Sequence, residues 1–166
     1  FCHELFHPAF RLIERRGKMQ KIKLTKGAFN NLLYNLVEME SRRDEILDEY
    51  LTGDLKEREE ISAMLDDYIE FMNKIMGSFS VQQTAKNEMP FVVVGCRVTI
   101  EDVASKEQFE YCIIPPFKKE IRYCDATILS PIGKSILKKR KGECFSIQAP
   151  GGEFKYKILS IVYEEI

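Results

Sequence analysis

The stretch GDLKEREEISAMLDDYIEFMNKI, Gly53 to Ile75, decides how the first half of the chain is read. Gly53 suits the left-handed residue that closes a helix. Asp54 suits the N-cap of the next helix, and Glu57 completes a capping-box pattern with it. Beyond them Ile61, Leu65, Tyr68, Met72 and Ile75 alternate steps of four and three, the seam of a coiled coil. Working back from the turn, Phe29, Leu32, Leu33, Leu36, Met39, Ile46, Leu47 and Tyr50 recur at similar spacing, with a polar patch over residues 40–45. Thr25 can cap the start of this arm. No proline interrupts residues 11–89. Two arms around a short turn predict an antiparallel hairpin, each arm roughly 24 residues and about 36 Å long. Such a hairpin is marginal alone, so its base must pack on something.

Further along, the period changes. Residues 77–90, GSFSVQQTAKNEMP, read as a polar linker. Residues 91–100, 109–114, 122–129, 143–148 and 153–163 then alternate as strands do. A short helix is expected over 131–139, with Ser130 as N-cap and Pro131 at its first position. The fold class predicted is α+β: an N-terminal antiparallel coiled-coil hairpin followed by a small antiparallel sheet domain with one short helix. The boundaries expected are 19–78 for the hairpin, 79–90 for the linker and 91–166 for the C-terminal domain. Met19 looks like a natural start of translation. Residues 1–18 then form an N-terminal extension of unknown role, in which Phe6, Phe10 and Ile13 fall at helical spacing.

A chain of 166 residues, 45% hydrophobic and 31% charged, can bury a core and stay soluble. No apolar run approaches the ~20 residues that span a bilayer, so no membrane partner is expected. The five cysteines are scattered, odd in number and without a C-x-x-C pair. They read as reduced thiols of a cytoplasmic protein rather than as a disulfide framework. His3 and His7 stand near Cys2, but no second ligand pair exists for a zinc site. Gly151-Gly152 lacks the strand–loop–helix context of a phosphate loop. Charge is distributed unevenly. Residues 44–60 hold eight acidic side chains against Lys56 and Arg58, while residues 134–141, KSILKKRK, hold five positive charges and no negative one. The acidic tip suits a hard cation. The basic run suits solvent or an acidic partner, and lacks the aromatics of a nucleic-acid surface.

Three stretches taken together resemble one family. They are SPIGKSILKKRKGECFSIQAPGGEFKYKILSI at 130–161, LTKGAFNNLL at 24–33 and GDLKE at 53–57. In order and character they are similar to the bacterial Gre transcript cleavage factors, GreA and GreB, from about Met19 onward. The C-terminal block is the most specific. Ser130, Pro131 and Ile132 open the short helix, Lys141 to Glu143 make a turn, and Pro150, Gly151 and Gly152 make a hairpin before the last strand. Each of these residues has a structural reading as helix entry or turn, and the resemblance adds a partner-binding one.

The resemblance implies a coiled coil on an FKBP-like domain that docks on RNA polymerase at its secondary channel. The coiled coil would enter the channel and set acidic residues beside the catalytic magnesium, where the polymerase hydrolyses the 3′ end of a backtracked transcript. The family's acidic positions fall on Asp54 and Glu57. The implied cofactor is thus Mg²⁺ shared with the polymerase active site, with none in the free protein, and nascent RNA is met only indirectly. The chemistry is consistent: two-metal hydrolysis needs a second, weakly held Mg²⁺ whose shell added carboxylates complete. The factor would be a monomer and not an enzyme by itself. The helix-cap reading of Asp54 and Glu57 stays open beside this one.

This chain departs from the family after GDLKE, where Arg58-Glu59-Glu60-Ile61 replaces an asparagine followed further on by a tyrosine. Arg58 stands ready to pair with Glu57, and the arms read as shorter. Two other functions are therefore weighed. One is a Gre-like channel-binding regulator or inhibitor without cleavage activity. The other is a peptidyl-prolyl isomerase, which needs an aromatic pocket. Phe109, Tyr111, Phe117 and Tyr123 are more economically core or strand-face residues, and fold likeness alone is no warrant.

Overall fold

In a computed structural model of the chain, residues 14–15, 18–19, 21–50 and 54–165 are described. The expectations for Phe6, Phe10 and Ile13, for Cys2, His3 and His7, and for Gly53 lie outside them. Helix α1 (Lys26–Ser41) starts at Thr25, whose Oγ1 accepts a hydrogen bond from Ala28 N at 3.2 Å. Helix α2 (Arg43–Tyr50) continues the arm after a break at Arg42, and α3 (Leu55–Ile75) returns. The sequence predicted an unbroken first arm. The break falls in the polar patch, where Ser41 Oγ donates to the Val37 carbonyl at 2.8 Å and competes with the helical ladder. α1 buries Ala28, Leu32, Leu36 and Met39, α2 buries Ile46 and Leu47, and α3 buries Ile61, Leu65, Tyr68, Phe71, Met72 and Ile75. Leu33 lies off the α1 stripe and is exposed.

Strands β1 (Glu14–Arg15) and β2 (Lys18–Met19) form a short antiparallel ladder. β3 (Ile22–Leu24) pairs in parallel with β4 (Phe79–Val81), which directly follows the 3₁₀ turn Met76–Ser78 after α3. The main sheet contains β5 (Cys96–Asp102), β6 (Gln108–Ile114), β7 (Asp125–Thr127), β8 (Cys144–Ala149) and β9 (Gly152–Tyr163). Its order is β7-β6-β5-β9-β8.

The all-antiparallel expectation is corrected here, because β6 and β7 run parallel. Pro115 and Pro116 have no N–H for a ladder and end β6. The chain then crosses back over residues 117–124 and enters β7 in the same direction. The strand expected over 122–129 shortens to three residues because Asp125 N turns back to Arg122 O at 3.0 Å. The apolar run Phe91–Val94 is buried but irregular. Val92 exchanges backbone bonds with Lys138 and Lys139 at 2.8 Å, ahead of Gly95 at φ 99°. Helix α4 (Pro131–Ile136) stops before the expected Lys139, since Lys138 takes φ 65°.

β9 does not alternate strictly. Thr99 pairs with Ser160 and Ile100 with Ile158, so Leu159 is the extra residue of a β-bulge. That bulge turns Ile158, Ile161 and Tyr163 all into the core.

One hydrophobic cluster runs from the helices into the sheet. The Phe71 and Phe91 rings meet edge-on at 5.1 Å, and Tyr68 Oη accepts a hydrogen bond from Val94 N at 3.0 Å. Residues 79–90 are anchored in spite of their polarity. Asn87, buried and at φ 56°, accepts from Thr25 N through Oδ1 at 2.7 Å and donates through Nδ2 to Thr25 Oγ1 at 3.3 Å. Its carbonyl accepts Tyr163 N at 2.8 Å.

Asn87→Gly keeps the left-handed backbone and removes the side-chain bonds, leaving Thr25 N–H stranded; urea unfolding should show a loss of about 1–3 kcal/mol. Tyr68→Phe should cost a similar amount, about 1–3 kcal/mol, by stranding the buried Val94 N–H. A denaturation midpoint unchanged in that variant would mean that Val94 N–H is satisfied without the phenol.

Candidate functional site: the acidic tip

Asp54 opens α3 as its N-cap, at φ −95° and ψ 126°, and its Oδ1 accepts a hydrogen bond from Lys56 N at 3.0 Å. Its carbonyl takes Arg58 N at 3.0 Å, the first turn of the helix. Glu57 lies on the same turn and is exposed. Its Oε1 sits 3.8 Å from Lys134 Nζ, on α4 of the sheet half. The cap expected at Asp54 is therefore formed. The second half of the capping box, a bond from Glu57 back to Asp54 N–H, is absent among the described residues.

Arg58 does not turn to Glu57. Its guanidinium reaches across to α2, donating to the Leu47 carbonyl at 2.8 Å and pairing with Asp48. A second latch lies at the α1–α2 break. There Arg43 holds Asp66 through two nitrogens, one at 2.7 Å from Oδ2, and also reaches Ser62 Oγ at 2.6 Å. The bond to Arg43 lowers the Asp66 carboxyl below its ordinary value, and burial only partly opposes it. Arg42 pairs with Glu45 and lies over the Phe117 ring, 4.8 Å from its centroid.

The basic run is largely occupied within the chain. Lys134 faces Glu57, Lys138 pairs with Asp67 and sits 5.8 Å from the Phe71 ring centroid, and Lys139 meets Glu143 at 3.0 Å. Three of these contacts, made by Lys134 and Lys138, join the sheet half to α3. The sequence reading missed them, because opposite charges far apart in the chain carry no spacing signal. Strength differs little among such exposed pairs, each worth at most about 1 kcal/mol.

The other candidates sit in separate turns. Ser130 caps α4, with Oγ accepting from Gly133 N at 3.1 Å and donating to the Thr127 carbonyl at 2.7 Å. Pro131 is exposed and Ile132 half-buried. Gly133, overlooked in the sequence, is required by packing, since a Cβ there would lie 2.0 Å from Thr127 O. Pro150, Gly151 and Gly152 are exposed at the β8–β9 turn, where Gly152 takes φ 121°. The four aromatics weighed for a proline pocket engage different surroundings. Phe109 stacks edge-on with Tyr156, Tyr111 packs on the core, Phe117 lies under Arg42, and Tyr123 is fully exposed. Tyr123 thus corrects its reading as a core or strand-face residue.

The tip offers oxygen donors, which suit a hard divalent cation. It offers no cage of its own. Among the described residues, three ligand atoms converge only at Cys112, Cys124 and Asp125. Two exposed carboxylates on one helical turn fit a cation whose remaining ligands come from elsewhere.

These features define an α+β protein whose candidate site is an acidic helical tip rather than a cleft. The chain belongs to the GreA/GreB family of transcription elongation factors. Residues 86–163 match the family described as "Transcription elongation factor, GreA/GreB, C-term". The transcription elongation factor GreA of Methylococcus capsulatus is 33% identical over 118 residues, 67% of this chain and 75% of that protein. GreA of Nitratidesulfovibrio vulgaris is 27% identical over 156 residues, 88% of this chain and 98% of that one. Among solved structures, a prokaryotic transcription elongation factor GreA/GreB from Nitrosomonas europaea aligns with 86% of this chain and 100% of its own at 17% identity, TM-score 0.49. No described helix is long and apolar enough to cross a membrane.

Removing the cap by Asp54→Ala should lower stability by about 1 kcal/mol. Lys134→Ala, which breaks an exposed pair, should cost less than that. Parallel urea titrations of the two variants check the order.

Proposed function

We propose that the chain binds RNA polymerase, inserts the acidic tip into the secondary channel and stimulates cleavage of backtracked transcripts by the polymerase's own active centre. The observation that carries this reading is the exposure of Asp54 and Glu57 on the first turn of α3 in a member of this family. In this reading residues 19–78 act as the coiled-coil hairpin, 79–90 connect, and 91–166 are the FKBP-like docking unit. Ser130 to Ile132 and Pro150 to Gly152 are candidate contacts. The protein works as a monomer in the cytoplasm, and the RNA 3′ end is met through the polymerase.

Asp54 and Glu57 would complete the shell of a Mg²⁺ shared with the polymerase, which supplies water activation and leaving-oxygen stabilisation when bound. What the chain itself contributes is positioning. The cap engages Asp54 Oδ1 with one N–H, and a carboxylate has about four acceptor sites, so capping and cation binding are compatible. Glu57 would exchange Lys134 for the cation. Arg58 with Asp48, and Arg43 with Asp66, hold the two arms in register so that the carboxylates arrive in a set direction.

A second reading, a channel-binding regulator or inhibitor without cleavage activity, is favoured by two observations. Glu57 already has a cationic neighbour in the sheet half, and α3, with 21 residues, spans only about 31 Å. Cleavage in stalled, backtracked elongation complexes with the cognate polymerase separates the two. Wild type should stimulate cleavage, and Asp54→Ala and Glu57→Ala should each abolish that stimulation while polymerase binding is retained. Binding without cleavage, unchanged by either substitution, would establish the second reading.

A further inference from the structure

We propose that Cys112 and Cys124 form a site of reversible oxidation, closed to a disulfide by peroxide-class oxidants, which pins the base of the loop that contacts the α1–α2 break. The two Sγ atoms lie 3.5 Å apart, and Cys112 N donates to the Cys124 carbonyl at 2.8 Å, so the backbones are already locked side by side. A disulfide needs about 2.0 Å between sulfurs, a closure of roughly 1.5 Å that side-chain rotation can supply. The other described thiols have no such partner, Cys96 being buried in the core and Cys144 exposed on β8.

The pair divides the work by environment. Cys112 is buried, and burial pushes its thiol up to about 12. Cys124 is half-buried and open to solvent. A thiolate is the attacking species, so the accessible Cys124 is the first to react and Cys112 the resolving partner. The Cys124 sulfur attacks one peroxide oxygen, the O–O bond breaks, and the departing hydroxide takes the thiol proton to become water. The Cys112 sulfur then attacks the resulting sulfenic sulfur. The S–O bond breaks and its oxygen leaves as a second water, carrying the Cys112 proton. Two thiols are oxidised and one peroxide is reduced.

A three-ligand metal site with Asp125 is the competing use of these atoms. Both Asp125 oxygens are already engaged, Oδ2 with Lys118 Nζ and Arg122 N at 2.9 Å and Oδ1 with Arg122 Nε at 3.1 Å. That leaves the sulfurs without this third ligand, and the Arg97 guanidinium beside Cys112 favours its thiolate form. The loop they bracket carries Phe117, on which Arg42 of the helical break lies. Oxidation therefore fixes the platform under that break, in the manner of the transient disulfides that sense redox state.

The test uses the full reduced chain treated with hydrogen peroxide, alkylated and mapped without reduction. Trypsin cuts after Lys118, Lys119 and Arg122, so residues 107–118 and 123–134 leave as separate peptides unless joined. The expected result is a joined species two hydrogens lighter than their sum, reversed by dithiothreitol, kept in Cys144→Ser and lost in Cys124→Ser. Brief trypsin treatment of the native protein should cut after Lys118 and Lys119 more slowly once oxidised. Full alkylation of both peptides after excess peroxide, or a bridge to Cys144 or to a second copy, would overturn the proposal. Equal native cleavage in both states would overturn the pinning of the loop.

Discussion

The helices α1, α2 and α3 do not bury their apolar stripes completely against one another, and the structure is arranged around that shortage. α3 is long enough to serve two partners: toward its N-terminus Ile61 and Leu65 are buried with the first arm, and further on Tyr68 and Phe71 enter the sheet half. Within the buried, irregular segment Phe91–Val94, the phenol of Tyr68 accepts the backbone N–H of Val94, which no strand ladder takes up. Asn87 does the same for the entrance to α1. Apolar contact sets the amount of stability and these two polar side chains set the orientation, since a hydrogen bond is directional and a hydrophobic contact is not.

Much of this was legible. Steps of three and four from Ile61 to Ile75 located α3 and its buried face, and Ser130-Pro131 located the start of α4. Three kinds of feature were not. The Arg42 break comes from a serine back-bond that periodicity does not register. The run Phe91–Val94 is apolar enough for a strand, yet its backbone partners, Lys138, Lys139 and Tyr68, lie in remote parts of the chain. The parallel β6–β7 pair depends on where the chain goes after Pro115-Pro116, and strand pattern carries no direction. Residues 79–90 were read by composition as a linker, whereas the β3–β4 pairing, Asn87 at a positive φ and the bond from Met89 N to Ile161 O hold them in place. In each case the deciding partner is distant in sequence, and local propensity is silent about it.

The candidate site shows the same division. Asp54 was readable as a cap from its neighbours alone, and the structure forms that cap. Whether Arg58 would neutralise Glu57 was not readable, because both a neighbouring carboxylate and one on the preceding helix were within its reach. It takes Asp48, and Glu57 faces Lys134 instead. The exposed tip and the basic run thus belong to one electrostatic surface, joined by Glu57 and Lys134. Cys112 and Cys124 were equally unreadable as a pair, their juxtaposition being a by-product of the parallel β6–β7 crossover.

The placement of β9 has a consequence for how the protein comes into being. It lies between β5 and β8, and its Tyr163 both fills the space over Gly95, where a Cβ would lie 2.3 Å from the phenol oxygen, and accepts a bond from Asn35 of α1 at 3.1 Å. During synthesis every other described strand and all the described helices emerge before it. A nascent chain therefore carries these helices for some time without the residue that closes their base. Helical turns can form early and locally, but tertiary commitment waits for this late, long-range pairing. In that interval the space over Gly95 and the amide of Asn35 lack the Tyr163 ring that closes them.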